Sequence, residues 1–87
     1  SEGISVLIPV YNYNISKLTG ALLSQFIPIN IPFEIRVYDD GSNIEFKEQN
    51  RAALNKSGIV YQEMSKNLGR AAIRNKLAQE ASYQNLL

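Results

Sequence analysis

The sequence predicts an α/β domain in which helices cover both faces of a parallel β-sheet, giving three layers. The first observation behind this prediction is a regular alternation of short apolar segments with longer segments that carry apolar residues at helical spacing. The second is the length of the helical segments, about ten to fifteen residues, which suits the right-handed connection between two parallel strands. With 87 residues, the chain has room for a single domain with a modest core.

The first segments of the chain predict one strand and one helix. Residues 4–10 are apolar at nearly every position, which is typical of a strand buried on both faces, and Pro9 must lie near its end. Ser16 is a suitable cap for a helix that extends to about Phe26. The apolar positions of this helix are Leu18, Ala21, Leu22 and Phe26. The two prolines that follow predict an extended connection.

The middle of the chain predicts a second strand and a second helix. Residues 33–38 alternate between apolar and polar or aromatic side chains, so one face of this strand should be more exposed than the first strand is. The helix should begin at Ile44 and continue to about Lys56. Gly58 marks the turn after it, because glycine readily adopts the left-handed conformation that ends helices.

A third strand and a third helix complete the predicted alternation. Residues 59–63 are predicted to form a short strand. The helix should extend from residue 67 to about residue 83, because Ile73, Leu77 and Ala81 recur every four positions. It is the most clearly patterned helix in the sequence.

Composition excludes several classes of protein. Apolar residues make up 45% of the chain and charged residues 20%, which is typical of a folded globular domain. The net charge of +1 is far below that of a nucleic-acid binder, so no nucleic acid partner is expected. Without Cys or His, the chain lacks thiolate nucleophiles, imidazole bases and the usual zinc ligands. No membrane-span or signal-peptide pattern is visible, so we expect a cytoplasmic protein, including one at the cytoplasmic face of a membrane.

Polar residues follow each predicted strand at its carboxyl end. They occupy residues 9–12, 39–42 and 65–74. Because ligands of open parallel sheets bind beyond the carboxyl ends of the strands, we expect these three segments to converge on one crevice.

Asp39 and Asp40 are adjacent carboxylates at the end of the second strand. Neighbouring side chains of a strand point to opposite faces, so one should enter the crevice while the other steadies the turn. A carboxylate in the crevice can accept hydrogen bonds from a ribose or a base, or ligate a cation. An Asp-Asp-Gly-Ser segment that serves only as a turn and a helix cap is an equally good interpretation of these residues alone.

The segment that opens the third helix also carries binding chemistry. Free backbone donors at a helix start suit phosphate, and Arg70 and Arg74 lie four residues apart on one helical face. The alternative is that Asn67 is an ordinary cap, Gly69 allows close packing and both arginines are solvated. Tyr11, after the first strand, can stack on a planar ring or simply pack against its neighbours.

Two familiar nucleotide-binding motifs are absent. No glycine stands in residues 9–14, where a dinucleotide-binding unit would have G-x-G-x-x-G. None of the five glycines has the spacing of a phosphate-binding G-x-x-x-x-G-K-[ST] loop. A phosphoacceptor receiver domain would have its acidic pair after the first strand instead of the second. These classes are therefore excluded.

Three segments taken together resemble the opening motifs of family 2 glycosyltransferases, which have the GT-A fold. The segments are residues 6–12, residues 37–42 and residues 67–75, and their order and spacing also match. The resemblance covers essentially all 87 residues. It implies Rossmann-like βαβ units and assigns residues 1–87 to the N-terminal nucleotide-sugar-binding part of a GT-A domain.

The resemblance also implies roles for particular residues. Pro9, Tyr11 and Asn12 would line the nucleoside pocket, with Tyr11 stacking on the base. Asp40 would contact the uracil edge or the ribose, which leaves Asp39 a mainly structural role. The residues expected to border the nucleoside and diphosphate are Lys66, Asn67 and Gly69, with Arg74 in support. A UDP-sugar is the donor that this set favours.

In the family, an Asp-x-Asp motif just after a fourth strand binds manganese or magnesium on the diphosphate. Leu86 and Leu87 look like the start of that strand. We therefore expect a truncated chain, with the Mn²⁺ or Mg²⁺ ligands, the acceptor site and the catalytic base all beyond it, and no transfer activity on its own. A first strand without its fourth-strand neighbour would expose a long apolar edge, which predicts self-association.

The implied activity is transfer of a sugar from a nucleoside diphosphate donor to the hydroxyl of a glycan or other acceptor, as in polysaccharide synthesis. The alternative is a noncatalytic nucleotide-binding or interaction module on the same scaffold. An acidic motif downstream of Leu87 would favour the enzyme, and polar loops there would favour the module.

Overall fold

The computed structural model describes residues 3–87, which form one parallel sheet and three helices. The strands are β1 (Ile4–Val10), β2 (Phe33–Asp39), β3 (Ile59–Glu63) and β4 (Asn85–Leu86). The helices are α1 (Ser16–Phe26), α2 (Ile44–Ala53) and α3 (Arg70–Glu80). The strand order is β3-β2-β1-β4, and every neighbouring pair is parallel. The predicted α/β architecture is confirmed.

The register aligns the carboxyl ends of the three longer strands. Val10 of β1 lies opposite Asp39 of β2, and Asp39 lies opposite Glu63 of β3. The ladder continues one residue further, because the Asp40 amide donates to the Val10 carbonyl at 2.8 Å and the Met64 amide donates to the Asp39 carbonyl at 2.8 Å. Three loops therefore leave the sheet at the same level.

Two apolar clusters hold the three layers together. On one face of the sheet, Leu23 of α1 and Leu54 after α2 belong to a cluster with buried residues of β1 and β2: Val6, Val10, Ile35 and Val37. On the other face, Ile73 and Leu77 of α3 pack with Tyr38 of β2. Because α1 and α2 share one face and α3 covers the other, both faces of the sheet are protected from water.

The inward face of α1 differs from the predicted one. Leu18 is 46% exposed and Ala21 is also exposed, whereas Thr19 and Leu23 are buried. The Thr19 hydroxyl is tolerated there because it donates to the Ser16 carbonyl at 3.0 Å. Ser16 is the first residue of the helix instead of its cap, and its amide donates to the Asn14 side chain at 3.0 Å.

The prediction that β2 is more exposed than β1 is wrong. Five of the seven residues of β2 are buried, whereas the middle residues of β1 are only partly buried. The polar side chains of Glu34 and Arg36 lie towards α3 and the segment after it, where they form hydrogen bonds with Ser82. Alternating polarity in this strand therefore reflects a buried polar network and not a solvent-facing surface.

Two helices are shorter than predicted. Helix α2 ends at Ala53, ahead of the predicted stop, although Gly58 does have a positive φ of 89° in the turn that follows. Helix α3 begins at Arg70 because Gly69, with a φ of 96°, belongs to a turn that precedes the helix. It ends at Glu80, since Ala81 is already extended.

Strand β4 pairs with the beginning of β1. Ile4 lies opposite Asn85 and Ser5 opposite Leu86, and the Leu7 amide donates to the Leu87 carbonyl at 3.0 Å. The expectation that the whole outer edge of β1 is unpaired is therefore wrong. Self-association stays a prediction. Among residues 3–87, no helix is both long enough and apolar enough to cross a membrane.

Glu34 of β2 organises a buried polar network that sequence analysis did not identify. One of its oxygens, Oε2, accepts hydrogen bonds from the Ser5 hydroxyl at 2.7 Å, the Arg36 Nε at 3.0 Å and the Ser82 amide at 2.7 Å. Arg36 in turn donates to the Tyr38 hydroxyl at 3.0 Å, and Tyr38 donates to Glu80. The network ties the end of α3 and the segment leading to β4 onto β1 and β2.

We expect Glu34→Gln to lower the free energy of unfolding by about 1–3 kcal/mol at neutral pH, because three donors lose a charged acceptor. Burial disfavours the charged form, but the hydrogen bonds from Ser82, Ser5 and Arg36 outweigh it and lower the pKa of Glu34. A carboxyl whose pKa is lowered by folding stabilises the fold at pH values above its unfolded-state pKa, about 4.5. This contribution is lost as the pH falls through the folded-state pKa.

Urea unfolding of the protein at pH 7 and pH 3 measures this effect. The wild-type protein should lose more stability between the two pH values than Glu34→Gln does. Glu48→Gln, at an exposed position of α2, is the matched control and should follow the wild type. A Glu34→Gln variant with the wild-type pH dependence would contradict the prediction.

Candidate functional site

A cleft of about 510 Å³ lies beyond the carboxyl ends of the strands, where the sequence predicts a crevice. It is formed by the loop after β1, the turn after β2 and the start of α3. Its lining residues are Pro9, Val10, Tyr11, Tyr13, Ile15, Asp40, Asn67, Gly69, Arg70, Ile73 and Arg74. One side of the cleft is therefore aromatic, and another carries two arginines.

Asp40 connects the turn after β2 to the start of α3. Its Oδ1 accepts a hydrogen bond from the Leu68 amide at 2.7 Å, and its Oδ2 accepts one from the Gly69 amide at 3.1 Å. Its carbonyl accepts from the Asn67 side chain at 3.0 Å. Asp40 is only 5% exposed, yet it lines the cleft. Its carboxylate thus holds the turn before α3 in place beside the site.

Asp39 is fully buried and does not line the cleft. Its Oδ1 accepts a hydrogen bond from the Ser42 amide at 2.7 Å, which closes the turn after β2. In the described part of the chain, its Oδ2 has no hydrogen-bond partner. The two adjacent carboxylates therefore have different surroundings, as the alternation of side chains along a strand requires.

Gly41 allows the turns after β2 and β3 to meet. Its φ is 82°, in the region that side chains other than glycine rarely adopt. A Cβ atom at this position would lie 2.6 Å from the Asn67 nitrogen and 2.7 Å from the Lys66 carbonyl carbon. Only the absence of a side chain permits this contact between two backbones.

The loop after β1 presents two exposed tyrosines, Tyr11 at 54% and Tyr13 at 62%. Asn12, between them, has a φ of 51° and links this loop to the turn after β2. Its amide donates to the Ser42 hydroxyl at 2.8 Å, and its side-chain oxygen accepts from the Asn43 amide at 2.8 Å. Asn12 is therefore engaged with α2 and its preceding turn and is not among the residues that line the cleft.

The start of α3 makes the cleft positive. Arg70 and Arg74 both line it, and within residues 3–87 neither forms a salt bridge. Among the described residues, Asp40 is the only carboxylate that lines the cleft, and it already accepts two backbone hydrogen bonds. An anionic ligand would therefore meet two unpaired guanidinium groups, which suit phosphate oxygens.

The structure brings together most of the residues singled out from the sequence. Pro9, Tyr11, Asp40, Asn67, Gly69 and Arg74 line the cleft, whereas Asn12 and Lys66 do not. Their roles in binding stay predictions. Sequence analysis missed Tyr13, Ile15 and Ile73 as lining residues, and it named Arg70 only together with Arg74, as positive charge at the helix start. Tyr13, two residues after Tyr11, could have been recognised from the sequence as a second aromatic residue of the site. Nothing in the sequence distinguishes Ile15 and Ile73 from residues of the core.

The described residues do not fit a divalent metal. No group of three or more acidic side chains lies close enough among residues 3–87 to hold a metal ion. The carboxylate oxygens of Asp40 already accept hydrogen bonds from backbone amides, and Asp39 is buried and does not line the cleft. No chemical step through a metal is assigned to these residues.

The sequence was compared with those of known protein families. The model of glycosyl transferase family 2 sequences covers residues 5–87. The chain belongs to this family. The resemblance noted in the sequence is thereby confirmed. All residues that line the cleft lie within the range that matches the family.

A solved structure supports the same fold. Mannosyltransferase PcManGT from Pyrobaculum calidifontis, in complex with GDP-Man and Mn²⁺, aligns with 91% of this chain at a TM-score of 0.66 and 20% identity. The fold of the family 2 chain is accordingly the GT-A fold. The chain spans 24% of the length of that enzyme. No significant match was found among curated proteins.

Proposed function

We propose that these 87 residues form the nucleotide-binding part of a longer glycosyltransferase, which transfers a sugar from a nucleoside diphosphate donor to an acceptor hydroxyl. Membership of glycosyl transferase family 2 supports sugar transfer in general. The observation that carries the proposal is the cleft itself, which is lined both by exposed tyrosines and by the two arginines at the start of α3. A flat base and an anionic diphosphate have complementary chemistry to these two sides.

In this proposal the tyrosines hold the base and the arginines hold the diphosphate. Tyr11 stacks on the ring, as aromatic side chains do with planar ligands. Arg70 and Arg74 supply charge-assisted hydrogen bonds to phosphate oxygens. The same positive groups would stabilise the departing diphosphate, because negative charge develops on it as the bond to the sugar breaks.

We propose that the base is uracil and the donor a UDP-sugar. The argument is that Asp40 lines the cleft and offers the remaining lone pairs of its carboxylate to the uracil imide N–H or to ribose hydroxyls. PcManGT was solved with GDP-Man, so the choice of base requires a direct test. We further propose that Mn²⁺ or Mg²⁺ binds through ligands outside these 87 residues and that the acceptor is a growing glycan.

Calorimetric titration of the full-length protein with UDP, GDP and CDP tests the binding half of this proposal. We expect UDP to bind at least about tenfold more tightly than GDP, a difference of about 1.4 kcal/mol. Tighter binding of GDP would overturn the assignment of the base. Binding of none of the three nucleotides would overturn the proposed function.

Transfer is tested separately, by release of UDP from UDP-sugars in the presence of glycan acceptors and Mn²⁺. Metal-dependent release that requires an acceptor supports a glycosyltransferase. Binding of UDP without release from any donor would instead favour the noncatalytic nucleotide-binding module.

A further inference from the structure

The loop that carries the two exposed tyrosines is fastened to α2 by a buried asparagine. Asn50 is fully buried in the middle of the helix. Its side-chain nitrogen donates to the Tyr13 carbonyl at 2.8 Å, and its side-chain oxygen accepts from the Ile15 amide at 2.9 Å. One side-chain amide thus satisfies both a backbone acceptor and a backbone donor, two residues apart, in the loop.

The other contacts between this loop and α2 differ from those of Asn50 in exposure. Asn14 donates to Gln49 at 3.1 Å, and Asn12 accepts from the Asn43 amide at 2.8 Å, both at exposed sites. Water can replace an exposed hydrogen bond, so the loss of either costs little. Water cannot readily replace the bonds of a buried amide, so loss of Asn50 would leave the backbone groups of Tyr13 and Ile15 unsatisfied. The Asn12 amide is held separately, by the Ser42 hydroxyl, so it is the conformation of residues 13–15 that depends mainly on Asn50.

Packing does not fix the positions of the two tyrosine side chains, because both are largely exposed. Tyr11 and Tyr13 are more than half exposed, and they lie on either side of Asn12 at the cleft. Because few contacts hold the rings, the backbone of the loop determines where the rings stand. A loop that is already ordered also avoids the entropy cost of ordering when a ligand binds.

We propose that Asn50 is a positioning residue for the nucleotide base, which holds the Tyr11–Tyr13 loop in its binding conformation before the nucleotide arrives. The inference rests on the proposed function, since it assigns the base to the side of the cleft formed by this loop. Among the described residues, the Asn50 side chain forms hydrogen bonds only with backbone atoms of the loop. Its effect on binding is therefore indirect.

The test combines hydrogen exchange with UDP titration of the full-length protein. In the wild type without nucleotide, the Ile15 amide should exchange as slowly as amides of the central strand β2. In Asn50→Ala and in Asn50→Ser, exchange at residues 11–15 should accelerate while exchange in β2 is unchanged, and UDP affinity should fall about tenfold. Gln49→Ala, which removes the neighbouring exposed contact, should retain the wild-type exchange and affinity.

Each outcome bears on a different claim. Rapid exchange of Ile15 in the wild type would overturn the proposal even if both Asn50 variants fail to fold. Normal UDP binding by folded Asn50 variants would overturn it while leaving the proposed function intact. A wild-type protein that binds no UDP, GDP or CDP would overturn the proposed function and this inference with it.

Discussion

Replacing Gly41 with alanine is expected to lower the free energy of unfolding by about 2–4 kcal/mol and to abolish nucleotide binding. The φ of 82° at this position strains any side chain, and the added Cβ would lie 2.6 Å from the backbone nitrogen of Asn67. Relief requires the turns after β2 and β3 to separate, which opens the cleft between Asp40 and α3. Denaturant unfolding and UDP titration measure the two effects.

Two other glycines provide matched controls for this substitution. Gly69 has a φ of 96° and a ψ of 156°, a region that only glycine adopts readily, but no atom lies within 4 Å of its added Cβ, so Gly69→Ala should cost only the backbone strain, about 1–3 kcal/mol. Gly20 lies inside α1 with nothing within 4 Å, so Gly20→Ala should stabilise the protein by about 0.5–1 kcal/mol. If Gly41→Ala were as mild as Gly69→Ala, the close approach of the two turns would be refuted.

The second large effect is expected from Asp40→Ala, which should weaken UDP binding about ten- to a hundredfold. The substitution removes the acceptor for the Leu68 and Gly69 amides, so the turn before α3 loses its shape at the edge of the cleft. It also removes the proposed acceptor for the base or ribose. Both losses act on the same ligand, and calorimetry with UDP measures their sum.

Asp39→Asn is the control for Asp40→Ala, because it changes the neighbouring carboxylate with little change in shape. Among residues 3–87, Asp39 accepts a hydrogen bond only at Oδ1, from the Ser42 amide, and an asparagine oxygen can accept the same bond. UDP affinity of this variant should stay within about threefold of the wild type. An equal or larger loss at Asp39 would mean that the wrong carboxylate has been assigned to the cleft.

Much of the fold could be predicted because its determinants are local. Apolar strand segments, helical spacing and turn residues recur along the chain, and right-handed parallel connections allow few arrangements of such elements. The same rule places the polar segments after β1, β2 and β3 at one edge of the sheet. The cleft was therefore predictable as a location, and Tyr11, Asp40 and Arg74 were found by it.

The motifs also sufficed to identify the family, since three short segments in the right order and spacing distinguish it better than any one of them. They did not distinguish residues that line the cleft from residues that support it. Asn12 and Tyr11 are adjacent in one motif, yet Tyr11 lines the cleft while Asn12 is hydrogen-bonded to Ser42 and Asn43.

The sequence by itself determined the alternation of strands and helices, the parallel sheet, the family and the edge at which a ligand would bind. Only the tertiary structure decided which polar residues are buried and why they are tolerated. Glu34 and Asn50 resemble ordinary surface residues in the sequence, but each meets partners more than 25 positions away, as Glu34 does with Ser5 and Ser82 and Asn50 does with Tyr13. Hydrogen bonds between distant segments depend on the packing of the whole sheet and its helices, and no local pattern of residues encodes them.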